Sequence, residues 1–399
     1  MSEYLEAAER YRGDVASFLR ELVELPSPSG GERAMAERVV AQMGKLGYDE
    51  AFTDKMGNAV GRIGDGATTI VMDSHMDTVG IGDPHAWGFD PYQGKISNDI
   101  IYGRGAGDDK GCLAAMVYAG RVMSERKLDE ADATVYVIGT VMEEDCDGLA
   151  LGFALSETIP DPDCVIIGES TDLDIYRGQR GRIEISVSMT GRSAHASAPE
   201  RGDNAVARMA PLIGEITDLN ERLTPHDFLG KGTVAVTKVE CETASLNAIP
   251  ASCTIYLDRR LTAGETSESA VAEIAALPAA TGAKIEILRY EEPAWTGLTL
   301  ETEKYYPTWL LEEGDPLVQA AAHAVERALG AKPAISKWVF STNGVSSAGR
   351  MGIPTVGFGP GTEIHAHTTE DQCPIDHLVK AVAGYAAMPR AIVDAKVGR

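Results

Sequence analysis

The run TTIVMDSHMDT carries an apolar stretch onto His75, with Asp77 two residues further on. Residues two apart in a strand or its extension point the same way, and a metal-bound imidazole commonly donates its second N–H to an acid. His75 therefore reads as a metal ligand whose ring Asp77 orients, although by itself the pair also fits an ordinary strand-end histidine. A second stretch, YGRGAGDDKG, opens a helix and sets Asp108 and Asp109 in a glycine turn. Its glycines match neither the P-loop nor the dinucleotide spacing, which disfavours a phosphate cradle. In a third, TVMEEDCDG, an apolar run ends on Glu143 and Glu144, and a fourth, CVIIGES, ends on Glu169. Adjacent carboxylates repel and are costly to bury unless cations neutralise them.

These residues need a scaffold that brings distant strand ends together. TTIVMDSH, ATVYVIGTV and CVIIGE are short runs rich in β-branched residues, as strands covered on both faces of a mostly parallel sheet should be. Helical stretches lie between or before them, among them GGERAMAERVVAQMGKLGY and KGCLAAMVYAGRVMSE, so the order is alternating α/β. Ligands of such sheets bind beyond the carboxyl ends of the strands, where three of these runs finish on metal-compatible side chains.

From about residue 178 the texture changes. GRIEISVSMTGR alternates apolar and polar residues, and with GTVAVTKVECET, ASCTIYLDRRL, KIEILRY and two helices it makes an inserted α+β unit. After about residue 294 the alternating pattern returns. The expected division is residues 1–177 and 294–399 as a catalytic domain and 178–293 as an insertion.

A chain of 399 residues is long enough for two cores. Its 44% apolar and 24% charged residues are those of a globular protein. Sixty acids against 36 bases, a net charge of -24, oppose binding to nucleic acid or an anionic membrane. The six cysteines form no C-x-x-C pair, and the charged first residues do not resemble a secretory signal, so the expected compartment is the cytoplasm. Oxygen and imidazole ligands without thiolates suit zinc, cobalt or manganese, and the number of acids suits two ions.

Taken in order, SHMDT, GRGAGDDKG, MEEDCDG, IIGES and GRSAHASAPERGDNA resemble the motifs of the M20 metallopeptidase family, over nearly the whole chain. The resemblance implies a zinc-exopeptidase type of catalytic domain with an inserted lid and dimerisation domain. It implies that His75 and Glu169 bind one metal, that Asp108 bridges to a second, and that Glu144 binds the second. Glu143 would be the general base and Asp77 the supporting carboxylate. The peptide between Asp108 and Asp109 would be cis. The last ligand is a histidine near the C-terminus, and GTEIHAHTTEDQ offers His365 and His367, of which His367 has the better spacing to the acids. His195 matches a lid histidine that reaches a partner subunit's site in a homodimer, and Asn247 and Arg260 match lid residues that meet substrate. FSTNGVSSAGR puts Asn343 where many members carry Thr-Asp, a substrate-contact position, and together with MDSHMDT it resembles a hydrolase subgroup linked to selenium metabolism.

The activity implied is hydrolysis of an amide in an N-acyl amino acid, a carbamoyl amino acid or a short peptide. A silent metal-binding dimeric scaffold of the same fold is the alternative, against which the adjacent Glu143 and Glu144 argue. A zinc nucleobase deaminase would need a P-C-x-x-C motif that the chain lacks.

Overall fold

The computed structural model describes residues 1–398, and all of their side chains except those of residues 128 and 129. Helices α1 (Glu3–Glu9), α2 (Arg12–Val23) and α3 (Arg33–Leu46) lead into strands β1 (Glu50–Thr53), β2 (Ala59–Ile63) and β3 (Thr68–His75). Then come α4 (Lys110–Glu125), β4 (Ala133–Thr140), β5 (Cys164–Ile167) and β6 (Ile175–Gln179). A second group follows: β7 (Gly181–Thr190), α5 (Ala205–Arg222), β8 (Thr233–Glu242), β9 (Ser252–Leu261), α6 (Ser267–Ala275) and β10 (Lys284–Ile287). The chain closes with β11 (Trp309–Leu310), α7 (Pro316–Leu329), β12 (Ile335–Trp338), β13 (Thr355–Gly357) and α8 (Ile375–Asp394).

The main sheet has the order β1-β2-β4-β3-β5-β13-β6-β11, with β12 beside β6. Its centre, β4, β3, β5 and β13, is parallel, and antiparallel pairings flank it. Strands β3, β4 and β5 are buried almost throughout, as near-continuous apolar runs require. On one face, Met35, Val39 and Met43 of α3, Leu113 and Val117 of α4 and Leu378 and Val382 of α8 pack against Ile70, Met72 and Val137. On the other, Val71, Ile138, Val165 and Ile167 meet Trp309 and Trp338. Helix α3 stops at Gly47, whose φ of 81° is the left-handed cap that glycine takes without strain.

The second sheet, β8-β9-β7-β10, is antiparallel. Inward residues of β7 and β9 alternate with outward ones, and Ile183, Ile185, Ile255 and Leu257 form a separate core with Met209, Leu212 and Ile216 of α5 and Ile274 of α6. Strand β8 is an edge of this sheet and is largely exposed. Among the described residues no helix is long and apolar enough to cross a membrane.

Register fixes what lies at the rim of the main sheet. His75 is level with Thr140, three residues before Glu143, while Ile167, two residues before Glu169, is level with both Asp73 and Gly357. Four parallel strands thus end at one edge, and the segments leaving β4, β5 and β13 line a common cavity.

Candidate metal centre

Asp108 lies at the middle of this edge. Its Oδ1 is 3.1 Å from Nε2 of His75 and its Oδ2 is 3.2 Å from Nε2 of His367, so one carboxylate spans two imidazoles. The His75 nitrogen is also 3.7 Å from Glu169 Oε1 and 4.0 Å from Glu143 Oε2, and the His367 nitrogen is 3.0 Å from Glu144 Oε2. Two overlapping groups, His75 with Glu143 and Glu169, and His75 with Asp108 and Glu144, have ligand atoms close enough to share a cation. The sequence left His365 and His367 as candidates. His367 faces the acids, whereas His365 turns its Nε2 to Gln372 at 2.7 Å.

The loop carrying Asp108 is fastened from below. Asp371 is fully buried and accepts hydrogen bonds from Gly105 N at 2.6 Å, Gly107 N at 2.8 Å and Arg104 Nη1 at 3.0 Å. A Cβ on Gly107 would lie 2.8 Å from the Gln372 carbonyl, and Gly105 has a φ of 86°, so the turn depends on both glycines. The peptide between Asp108 and Asp109 is cis. Asp109 turns away from the cavity, where its Oδ2 accepts from Ser74 Oγ at 2.5 Å and His75 N at 3.2 Å. Sequence reasoning missed Asp371, and its signal was the order of the acids after His367. Glu370 is exposed, and Asp371 is the one that folds inward.

Asp77 does more than face the His75 ring. His75 Nδ1 lies 2.9 Å from the backbone carbonyl of Asp77, and the carboxylate is farther away at 3.6 Å. The carboxylate instead accepts the backbone N–H groups of Glu143 and Glu144, both at 3.0 Å, and the Ser29 hydroxyl at 2.7 Å. One residue therefore orients the imidazole through its main chain and holds the acidic turn through its side chain. Glu32, also buried, takes the N–H of Met142 and of Gly30, both at 3.0 Å.

Electrostatics follow from the crowding. Burial pushes Glu143, Glu144 and Glu169 up from the usual carboxylate range, and neighbouring acids add to the rise. Asp108 is held below its usual value despite burial, because His367 and His75 both face it. His367 is correspondingly pushed up to about 10 by Asp108 and Glu144. Such a cluster is short of positive charge, which bound cations would supply.

The cavity beside these residues has a volume of about 390 Å³ and is lined by Asp108, Glu143, Glu144, Glu169 and His367. Arg260, Arg182, Asp147, Ser341 and Glu363 complete its polar wall. Arg260 thus faces the cavity as expected, held by Asp258 through bonds of 2.8 and 3.1 Å. Asp147 is the last acid of MEEDCDG, but its pairing with Arg182 at 2.7 Å had no sequence signal.

Three expected residues lie elsewhere. His195 and Asn247 share an exposed tip of the second unit, joined by a 2.8 Å bond from Ala196 N to the Asn247 carbonyl, and neither lines the cavity. Asn343 corrects the expectation of a substrate contact. It is 3% exposed, and its amide is spent on Asp73 and Thr140, both at 2.9 Å, and on Gly148 N at 2.6 Å. It braces the ends of β3 and β4 from beneath and leaves no side-chain group facing the cavity.

The chain is similar to known proteins over most of its length. The uncharacterized protein YgeY of Escherichia coli strain K12 is 46% identical over 387 residues, 96% of each chain. Acetylornithine deacetylase of Edwardsiella ictaluri is 27% identical over 331 residues, 81% of this chain and 80% of that one. The solved structure of the Bacillus subtilis YXEP protein, described as a dinuclear metal binding peptidase, shares the fold with a TM-score of 0.72 at 14% identity, covering 97% of this chain and 99% of that one. Residues 71–391 match peptidase family M20/M25/M40, so the rim of acids and imidazoles belongs to a hydrolase of that family.

Proposed function

We propose that this protein hydrolyses the amide bond of a small N-acyl amino acid, carbamoyl amino acid or short peptide, using two divalent cations and Glu143 as general base. The observation that carries this reading is the Asp108 carboxylate spanning His75 and His367 at 3.1 and 3.2 Å, with Glu143 on the same cavity wall. The donor set fits the metal: oxygen and imidazole groups, no thiolate, and a crowd of buried acids. His75, Asp108 and Glu169 would hold one ion, and Asp108, Glu144 and His367 the other, with zinc the best match and cobalt or manganese compatible. The chemistry supplied with both ions bound is Lewis acidity, which lowers the pKa of water towards neutrality and polarises a carbonyl.

Glu143 then takes the proton of the attacking water and returns it to the leaving nitrogen, a role suited to an acid whose proton affinity is raised by burial. Asp77 keeps that carboxylate in place through the Glu143 N–H. Arg260, fixed by Asp258, is positioned to receive a substrate carboxylate.

Residues 178–293 act in this reading as a lid and dimerisation domain, and residues 1–177 with 294–399 as the catalytic domain. His195 and Asn247 would complete the site of a second subunit, where His195 stabilises the oxyanion. The exposed tip that carries them and the exposed edge strand β8 support this, and sedimentation should give a dimer. Six free cysteines, five of them buried, suit a reducing compartment such as the cytoplasm. The reading is tested by assaying metal-loaded protein against N-acyl amino acids, carbamoyl amino acids and dipeptides. Turnover of one class identifies the substrate type, and inertness towards all three would reject it.

A further inference from the structure

Of the six cysteines, five are buried and Cys241 is exposed. Cys241 stands near the end of the edge strand β8, level with Cys253 of β9 in their antiparallel register. Residues directly opposite in such a pair project from the same face of the sheet. Their Cα atoms are roughly 4.5–5.5 Å apart, inside the roughly 4.4–6.8 Å that a disulfide spans. For Cys253 that face is the second core, where it is 1% exposed. Cys241 has no strand beyond it and stays open to solvent. Burial and the neighbouring Cys241 push the Cys253 thiol above its usual range, so Cys241 is the sulfur that an oxidant meets first.

The pair sits at the base of the hairpin that carries Asn247. Beyond it, the Thr243 hydroxyl donates to the carbonyls of Ser245 at 2.8 Å and Ala248 at 3.2 Å. The turn docks on the segment around His195 through Ala196 N to the Asn247 carbonyl and Ile249 N to the Ala194 carbonyl, both at 2.8 Å. A covalent bond between β8 and β9 at this level would limit how far the turn can open.

We propose that Cys241 and Cys253 are a redox-sensitive dithiol that closes to a disulfide across β8 and β9 and staples the hairpin presenting Asn247. In a reducing compartment the pair rests as two thiols and the bond is transient. With a peroxide as oxidant, the Cys241 thiolate attacks one peroxide oxygen, which leaves Cys241 as a sulfenic acid and releases water. The Cys253 sulfur then attacks the Cys241 sulfur, giving up its proton as the hydroxyl departs as a second water. Two thiols and one hydrogen peroxide thus give one disulfide and two waters, and a small-molecule dithiol reverses the bond by exchange. The proposal goes beyond the hydrolase reading and stands apart from it, because the thiols are read directly and turnover is not needed.

The test treats zinc-loaded protein with hydrogen peroxide, blocks free thiols with iodoacetamide under denaturing conditions and digests with trypsin without reductant. Both cysteines fall in one tryptic peptide, residues 239–259. In untreated protein this peptide should carry two alkyl groups. After peroxide it should carry none and be lighter than the reduced, unblocked peptide by two hydrogens, and dithiothreitol before blocking should restore both alkyl groups. In Cys253→Ala the reaction should stop at a Cys241 sulfenic acid that dimedone traps. Amide exchange at residues 243–251 should slow by roughly tenfold or more in the oxidised wild type. The proposal is overturned by a peptide that still takes two alkyl groups after peroxide, by Cys241 advancing to a sulfinic acid while Cys253 stays free, or by a Cys241-linked dimer on a non-reducing gel. Absence of the dimedone adduct would overturn the order of attack, and unchanged exchange in a protein with the bond closed would overturn the staple.

Discussion

Asp77 and Glu143 show how much depends on single side chains at the metal centre. Asp77 makes no contact with the cavity, yet its carbonyl meets His75 and its carboxylate meets the main chain of Glu143 and Glu144. It thereby links the orientation of His75, a proposed ligand, to that of Glu143, the proposed base. Glu143 and Glu144 are adjacent in sequence but face different partners: Glu144 reaches the His367 nitrogen at 3.0 Å, while Glu143 stays 4.0 Å from His75. In the proposed assignment Glu143 belongs to neither ligand set and is left to serve a bound water. Glu143→Ala should therefore retain its metal by elemental analysis and lose at least about two orders of magnitude in kcat. Near-wild-type turnover in a metal-loaded variant would remove Glu143 from the chemistry.

At the level of elements, the centre exists because four parallel strands end together and each exit turn is tied down. Asp371 ties the Asp108 turn, Asp77 ties the Glu143 turn, and Asn343 ties β3 to β4 and to Gly148. Asn343→Ala should leave the Gly148 N–H without a partner, take one donor from the Asp73 carboxylate and cost about 1–3 kcal/mol, read as a lower denaturant midpoint. KM should stay within about twofold. A tenfold rise in KM at unchanged stability would instead return Asn343 to the substrate.

The strands and the acids and imidazole at their ends were legible in the sequence, because apolar runs that finish near His75, Glu143 and Glu169 advertise both a sheet and its polar edge. The ties were not. Asn343 stands in a small-residue loop with no periodicity, and its partners are 195 to 270 residues away in sequence. Asp371 looked like one more acid in a polar loop until the fold buried it. Arg182 reads as an outward residue of an alternating strand, and only the fold brings it against Asp147.

Across the whole molecule, the second sheet is joined to the catalytic edge by side chains that line the cavity itself. Arg182, at the start of β7, pairs with Asp147, which follows the acidic turn, and its guanidinium lies 4.5 Å from the Tyr306 ring centroid. The wall of the site is thus shared between the two sheets, and a movement of one against the other changes the shape of the cavity. Exposed His195 and Asn247 lie outside that shared wall, which is why the account assigns them to a partner's site. All of it depends on cations at the strand ends. The most direct measurement is an anomalous difference map from crystals of the zinc-loaded protein. Two peaks are expected on either side of Asp108, one against His75 and Glu169 and the other against Glu144 and His367. A map with no peak between these side chains, at full zinc loading, would contradict it.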